Sequence, residues 1–74
     1  MRKPRKPVNI QVGESLREIR VRRGLSQSEA AKGLRMLRQT LSTMEAGRQN
    51  ISVVALSKVA SFYGVTVTTL LDGL

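Results

Sequence analysis

Arginine, glutamine, serine and threonine, which can all form specific hydrogen bonds, occur together in the segment LRQTLSTMEAGRQN, residues 37–50. If the segment is helical, at about 100° per residue, its residues separate onto two faces. Leu41 and Met44 fall on an apolar face, and the opposite face holds Arg38, Gln39, Ser42 and Thr43. Arginine can pair with guanine and glutamine with adenine, while serine and threonine adapt to either. The pattern therefore favours an interpretation in which this face contacts base edges in a DNA major groove. The alternative is an ordinary solvent-exposed face, since any short exposed helix also shows polar residues.

Catalytic and metal-binding chemistry has little support in the composition. The chain contains no cysteine and no histidine, so it has no thiolate ligand, no disulfide and no imidazole base. Its carboxylates are scattered and show no paired acid–base pattern: Glu14, Glu18, Glu29, Glu45 and Asp72. We therefore predict that the protein is not an enzyme and uses no metal, no cofactor and no small-molecule ligand.

Charge is distributed unevenly along the chain. The 74 residues carry a formal net charge of +8, and 12 of the 13 lysines and arginines lie at or before Arg48. From Gln49 onward only Lys58 and Asp72 are charged, and they cancel. A basic half followed by a neutral, apolar half indicates contact with a polyanion, but it says nothing about sequence preference.

The first residues, MRKPRKPVNI, are basic but lack the apolar stretch of a signal peptide. No segment approaches the roughly 18 apolar residues of a membrane span. We expect a cytoplasmic protein with no membrane partner. Residues 1–10 are interpreted as a flexible basic arm, because four cations and two prolines in the first seven residues leave little apolar surface to bury.

Five helices are predicted from hydrophobic spacing and capping residues. Val12, Leu16 and Ile19 form the apolar stripe of a first helix that stops at Gly24. SQSE, residues 26–29, is a capping box that begins a second helix.

The third helix carries Leu41 and Met44 on its apolar side, and Gly47 ends it. Ser52 and Thr66 are suited to cap a fourth and a fifth helix, with Gly64 between them.

Four longer stretches carry a family resemblance: SLREIR (15–20), RGLSQSEAAKGL (23–34), RQTLSTMEAGRQN (38–50) and LSKVASFYGVTVTTLL (56–71). Together they resemble the phage repressor and Cro type of helix-turn-helix domain, also called the xenobiotic response element (XRE) family. The resemblance implies an all-α, compact five-helix bundle of the lambda-repressor-like type over residues 11–74. In such domains the second helix of the pair lies in the major groove, and dimers bind half-sites about one helical turn apart.

The resemblance also implies roles for individual residues. The positions that match base-reading residues are Arg38, Gln39 and Thr43. Those that match DNA-backbone contacts are Gln27, Thr40, Ser42 and Arg48. Glu45 matches a structural residue that pairs with an arginine of the first helix, here Arg20, and would clamp that helix to the third.

Two positions in the turn depart from the family pattern. The family usually has glycine where this chain has Arg35, and a serine or threonine cap where it has Leu37. Because a left-handed arginine and a missing cap are both unfavourable, helix 2 is expected to end early, near Gly33. Met36 and Leu41 are spaced as a hydrophobic staple that could fix the start of helix 3 instead.

The arm and the apolar half suggest further partners. Arg2, Lys3, Arg5 and Lys6 could follow phosphates or enter a minor groove, and the alternatives are a solubilising tail or a piece of linker. Phe62, Val67, Leu70 and Leu71 exceed what so small a core should cover, so we interpret them as a homodimer interface. The alternative is a core that extends to the C-terminus.

Taken together, these patterns predict a sequence-specific DNA-binding transcriptional regulator, a repressor in the simplest case, that binds an inverted-repeat operator in double-stranded DNA as a homodimer. Two alternatives share the fold: an antitoxin with a toxin partner, and a restriction-modification controller. A basic module that binds RNA or a membrane surface is a third, but the chain lacks a basic amphipathic helix with large apolar anchors.

Overall fold

The computed structural model describes residues 6–73, and this part of the chain is all-α. Its five helices are α1 (Val8–Arg22), α2 (Gln27–Leu34), α3 (Arg38–Glu45), α4 (Val53–Tyr63) and α5 (Val67–Asp72). The predicted fold class and number of helices are confirmed. Among residues 6–73, no helix is both long enough and apolar enough to cross a membrane.

Side-chain caps begin three of the helices where the sequence predicted them. Ser26 and Glu29 form a complete capping box at the start of α2, with the Ser26 hydroxyl accepting from the Glu29 N–H at 3.0 Å. Ser52 and Thr66 accept from the N–H three residues further on, both at 3.1 Å. Gly64 ends α4 in a left-handed conformation, with φ of 69°, that a residue without a Cβ adopts readily.

The core is aliphatic and draws on every helix. Its buried apolar members are Val12, Leu16, Ile19, Ala30, Ala31, Leu34, Leu41, Met44, Val59, Ala60, Tyr63 and Leu70. α1 packs against α3, α4 and α5, while α2 packs against α3 and α4. α2 and α3 therefore pack against each other, and each also packs against a further helix, α4 for α2 and α1 for α3.

α1 and α3 lie in close contact at Gly13. A Cβ at this position would lie 2.5 Å from the Met44 carbonyl oxygen and 2.7 Å from that of Glu45. Both atoms belong to the backbone of α3, so the helices could not keep this distance around any larger side chain. Gly13 thus sets the spacing between α1 and α3.

Three details of the sequence interpretation need correction. α1 begins at Val8, so residues 8–10, assigned above to the arm, form its first turn. Helix 2 does not end near Gly33 but continues to Leu34, because Arg35 adopts the left-handed conformation that closes it, with φ of 56° and ψ of 43°. Leu70 is fully buried in the core. It is therefore not available as part of a dimer interface.

Candidate nucleic-acid interface

α3 has one buried face and one open face. Leu41 and Met44 are buried in the core and fix the rotation of the helix about its axis. Arg38 and Gln39 are exposed on the other side, at the N-terminal end. Neither side chain forms a hydrogen bond with another residue in the range 6–73, so both are available to a ligand.

Thr43 lies one turn further along the same helix and is half-buried. Its hydroxyl donates to the Gln39 carbonyl at 2.9 Å. The hydroxyl proton is therefore engaged within the helix, and what Thr43 can still offer a ligand is its oxygen lone pair and its methyl group. Such a methyl group can contact thymine, while the oxygen can accept from a base amino group.

The residues expected near the DNA backbone differ in how accessible they are. Arg48 is exposed in the segment after α3, whereas Thr40 and Ser42 are half-buried on α3. Gln27, the first residue of α2, is also half-buried, and its amide donates to Glu45 Oε1 at 3.1 Å. Gln27 is thus joined to α3 directly. A second amide hydrogen and the amide oxygen of Gln27 are left for other partners.

Glu45 sits at the centre of a polar network behind the open face. Arg20 donates to it through Nε at 2.7 Å and through Nη2 at 3.0 Å, and both side chains are largely buried. The hydrogen bond to Glu45 raises the pKa of the Arg20 guanidinium, and so reinforces its charge. The pair that the family resemblance implied is present, and it joins α1 to α3.

Sequence reasoning missed a second link between α1 and the end of α3. The Asn9 side-chain amide donates to the Gly47 carbonyl at 2.7 Å. The two residues are 38 positions apart, and no local motif connects them. This bond fixes the start of the segment that carries Arg48.

The arm is only partly described. Lys6 forms an ion pair with Glu14 on α1 at 2.6 Å, with both side chains more than half exposed. An exposed pair of this kind contributes little stability, and it leaves Lys6 free to change partners. Arg2, Lys3 and Arg5 lie outside the described residues.

The exposed apolar residues of the second half differ from those that the sequence suggested, and they include residues that were not predicted. Phe62 and Leu71 are 39% and 40% exposed, and Val67 is half-buried against the core. Val53 and Val54, in the first turn of α4, are 79% and 80% exposed. The sequence feature that could have identified Val53 and Val54 is their position as adjacent β-branched residues directly after Ser52, the cap of α4.

Comparison with known proteins agrees with this geometry. Residues 11–72 match the helix-turn-helix domain family. Over 60 residues, 81% of this chain, the sequence is 43% identical to the HTH-type transcriptional regulator DdrOP3 of Deinococcus deserti. Over 57 residues, 77% of this chain, it is 36% identical to the cryptic phage CTXphi transcriptional repressor RstR of Vibrio cholerae. These matches take in 46% and 51% of the two proteins, so the chain spans about half the length of the curated relatives it matches.

Solved structures show the same arrangement of helices. The clp gene regulator ClgR from Corynebacterium glutamicum superposes with a TM-score of 0.84 at 28% identity, over 96% of this chain and 91% of that one. SinR, a master regulator for biofilm formation solved in complex with DNA, superposes with a TM-score of 0.76 at 35% identity, over 82% of this chain and 98% of that one. The chain therefore belongs to the helix-turn-helix domain family.

Proposed function

We propose that the protein is a sequence-specific DNA-binding transcriptional regulator that inserts α3 into the major groove. The observation that carries the proposal is the two-faced structure of α3. Its apolar face is buried against α1 and α2, while Arg38 and Gln39 are left uncovered at its N-terminal end. Both side chains can form paired hydrogen bonds to base edges, which is the usual means of direct readout in the major groove.

Charge supports the same conclusion. The net charge of +8 on 74 residues favours contact with phosphates at any sequence. Arg48 lies three residues after the end of α3, and Gln27, the first residue of α2, donates a hydrogen bond to Glu45 at the end of α3, so both lie near the reading helix. We assign them to the DNA backbone together with Thr40 and Ser42. In this arrangement phosphate contacts position α3, and its exposed side chains discriminate between bases.

The two curated relatives are named as a transcriptional regulator and a transcriptional repressor, which favours repression as the regulatory outcome. We further propose that the protein binds as a homodimer to an inverted repeat. Phe62 and Leu71 supply exposed apolar surface for the dimer contact. A two-fold dimer predicts half-sites about 10 base pairs apart, centre to centre.

Selection of bound sequences from a random DNA pool tests the proposal. We expect an inverted repeat to be enriched, and we expect the double variant Arg38→Ala/Gln39→Ala to enrich none. The matched control is Arg17→Ala/Ser61→Ala, which also removes one positive charge and one neutral polar side chain at exposed positions, but outside α3. Parent protein that enriches no sequence, or that binds double-stranded RNA equally well, would contradict the proposal. Co-purification of a second protein would instead favour the antitoxin alternative.

A further inference from the structure

α3 is preceded by an exposed leucine at the N-cap position, where a polar side chain would stabilise the helix. Leu37 is the N-cap residue, and it is 74% exposed. Its backbone carbonyl accepts from the Leu41 N–H at 3.1 Å, but its side chain can accept nothing from the amides of the first turn. Met36, the residue before it, packs against the core. The chain thus turns Met36 inward and Leu37 outward.

Leu37 differs from the N-cap residues of three of the other helices. α2, α4 and α5 are each capped by a hydroxyl residue whose side-chain oxygen accepts a backbone hydrogen bond. Leucine in this position forgoes that bond, which is typically worth about 1 kcal/mol, and it places a large apolar side chain in water. Core packing does not account for the leucine, because its side chain lies outside the buried cluster.

The position of Leu37 indicates what it contacts. It immediately precedes Arg38, at the N-terminal end of the proposed reading helix. We propose that Leu37 contacts the 5-methyl group of a thymine in the major groove, and that this contact makes the protein prefer thymine at one position in each half-site. The methyl group is the apolar feature of the thymine edge, and contact with an apolar side chain distinguishes thymine from cytosine. This inference rests on the proposed function, since it requires α3 to lie in the groove.

The proposal predicts that one substitution raises the thermal stability of the domain and lowers its affinity for DNA. Leu37→Ser introduces a cap oxygen and should raise the thermal stability of the domain. It also removes the apolar contact, and should weaken binding to the selected site. A purely structural role for Leu37 would not separate the two measurements in this way.

Replacing thymine by deoxyuridine isolates the contact, because the two bases differ only in the methyl group. Each thymine of the selected site is replaced in turn, and the Kd is measured for the parent and for each variant. For the parent we expect one position in each half-site at which the replacement weakens binding about fourfold, the effect of losing one buried methyl group. Leu37→Ser should bind the thymine site less tightly than the parent and show no loss at that position. Leu37→Met, which stays apolar, should retain the loss.

Val54→Ser is the matched control, because it removes an equally exposed apolar side chain from the first turn of α4. It should keep the full response to deoxyuridine. A parent that is indifferent to every replacement, or that shows the same losses as Leu37→Ser, would overturn the contact while leaving the proposed function intact. The same holds for a selected site without thymine. Failure of the parent to select any site would overturn both the Leu37 contact and the proposed function.

Discussion

Arg20 on α1 donates two parallel hydrogen bonds to Glu45 on α3, from Nε to Oε2 at 2.7 Å and from Nη2 to Oε1 at 3.0 Å. Its remaining nitrogen, Nη1, donates to the Leu25 carbonyl at 2.9 Å. Gln27 adds a third hydrogen bond to the same carboxylate. One charged group therefore ties α1, the start of α2 and the end of α3 together. The orientation of α3 depends on this network as well as on apolar packing.

Glu45→Ala is expected to lower the free energy of unfolding by about 3 kcal/mol, because it leaves the Arg20 guanidinium buried without its partner. Urea denaturation of the variant and the parent measures the difference. The control is Gln39→Ala, which removes an exposed side chain from the same helix and should change stability little. The double variant Arg20→Met/Glu45→Leu should recover part of the loss, since it removes both charges together. Equal midpoints for Glu45→Ala and the parent would contradict a stabilising role for the pair.

Arg35→Gly is expected to stabilise the domain. Arg35 is the one non-glycine residue with positive φ in the described part of the chain, and a left-handed conformation costs a residue with a Cβ about 1 kcal/mol. Glycine removes that cost, although it also gains freedom in the unfolded chain, so we expect a net rise of about 0.5 kcal/mol.

Lys32→Gly provides the comparison for Arg35→Gly, because it makes a similar change within α2, where the backbone is helical. It should lower stability by about 1 kcal/mol. Thermal unfolding of both variants decides the matter. A lower melting temperature for Arg35→Gly than for the parent would show that the side chain stabilises the turn by more than its backbone conformation costs.

Tyr63→Phe should leave the domain equally stable or make it more stable. The Tyr63 hydroxyl is buried and has no hydrogen-bond partner among residues 6–73, so its desolvation is uncompensated there. Such a group costs about 1–3 kcal/mol. Removing only the oxygen keeps the ring and its edge-to-face contact with Phe62, whose centroid is 5.0 Å away.

The same hydroxyl predicts a loss of stability in alkali. Burial raises the pKa of Tyr63 above its ordinary value of 10.0, since the charged form is poorly solvated. The unfolded chain therefore ionises first. Stability that is fully present below pH 10 is lost as the pH rises towards the higher pKa of the folded state. Denaturation between pH 9 and pH 11, at about half-unit intervals, should show a shallower decline for Tyr63→Phe. Identical slopes for the two proteins would contradict this assignment.

Local signals made most of the fold predictable. Ser26, Ser52 and Thr66 each cap the helix that follows, as expected, because an N-cap depends on residues only a few positions apart. The conformation of Arg35 was not predictable in this way. Its unfavourable backbone angles are tolerated because α2 and α3 are both fixed by packing, and propensity alone favoured an earlier end to helix 2.

Burial was harder to predict on the last helix. Leu70 and Leu71 are adjacent leucines in the same stretch of sequence, yet Leu70 lies in the core and Leu71 is 40% exposed. Which of them faces inward depends on how α5 packs against α1 and α4, and the sequence of a six-residue helix does not determine that. For the candidate site, the polar face of α3 was visible from the sequence. The link from Asn9 to Gly47 was not.

Leu71→Asp tests the proposed dimer. If Leu71 lies in the interface, a buried carboxylate should dissociate the dimer and weaken binding to an inverted repeat, because each half-site then loses its linked partner. Sedimentation at micromolar concentration measures the change in oligomeric state. Val21→Asp is the control, since Val21 is exposed on α1, outside the proposed interface. A parent that sediments as a monomer, both alone and on a single half-site, would contradict the proposal.

The final prediction separates base reading from phosphate binding. If Arg38 pairs with a guanine, Arg38→Ala should weaken binding to the selected site by about 1–3 kcal/mol, have little effect on random DNA, and relax the preference mainly at one base pair in each half-site. Deletion of residues 1–5 removes Arg2, Lys3 and Arg5 but keeps Lys6 and its ion pair with Glu14. If those three cations meet phosphates, the deletion should weaken binding to both DNAs and reduce the salt slope by up to about 0.9 for each phosphate that is no longer neutralised.

Titrations of both variants against both DNAs at several salt concentrations measure all of these quantities. A control deletion is unnecessary, because each variant serves as the comparison for the other. Uniform weakening by Arg38→Ala on the two DNAs would reassign Arg38 to the backbone, since a phosphate contact carries no base preference. In that case Gln39 and Thr43 would be the remaining base-reading candidates on α3. The open face of the helix would then have to discriminate between bases without its only arginine.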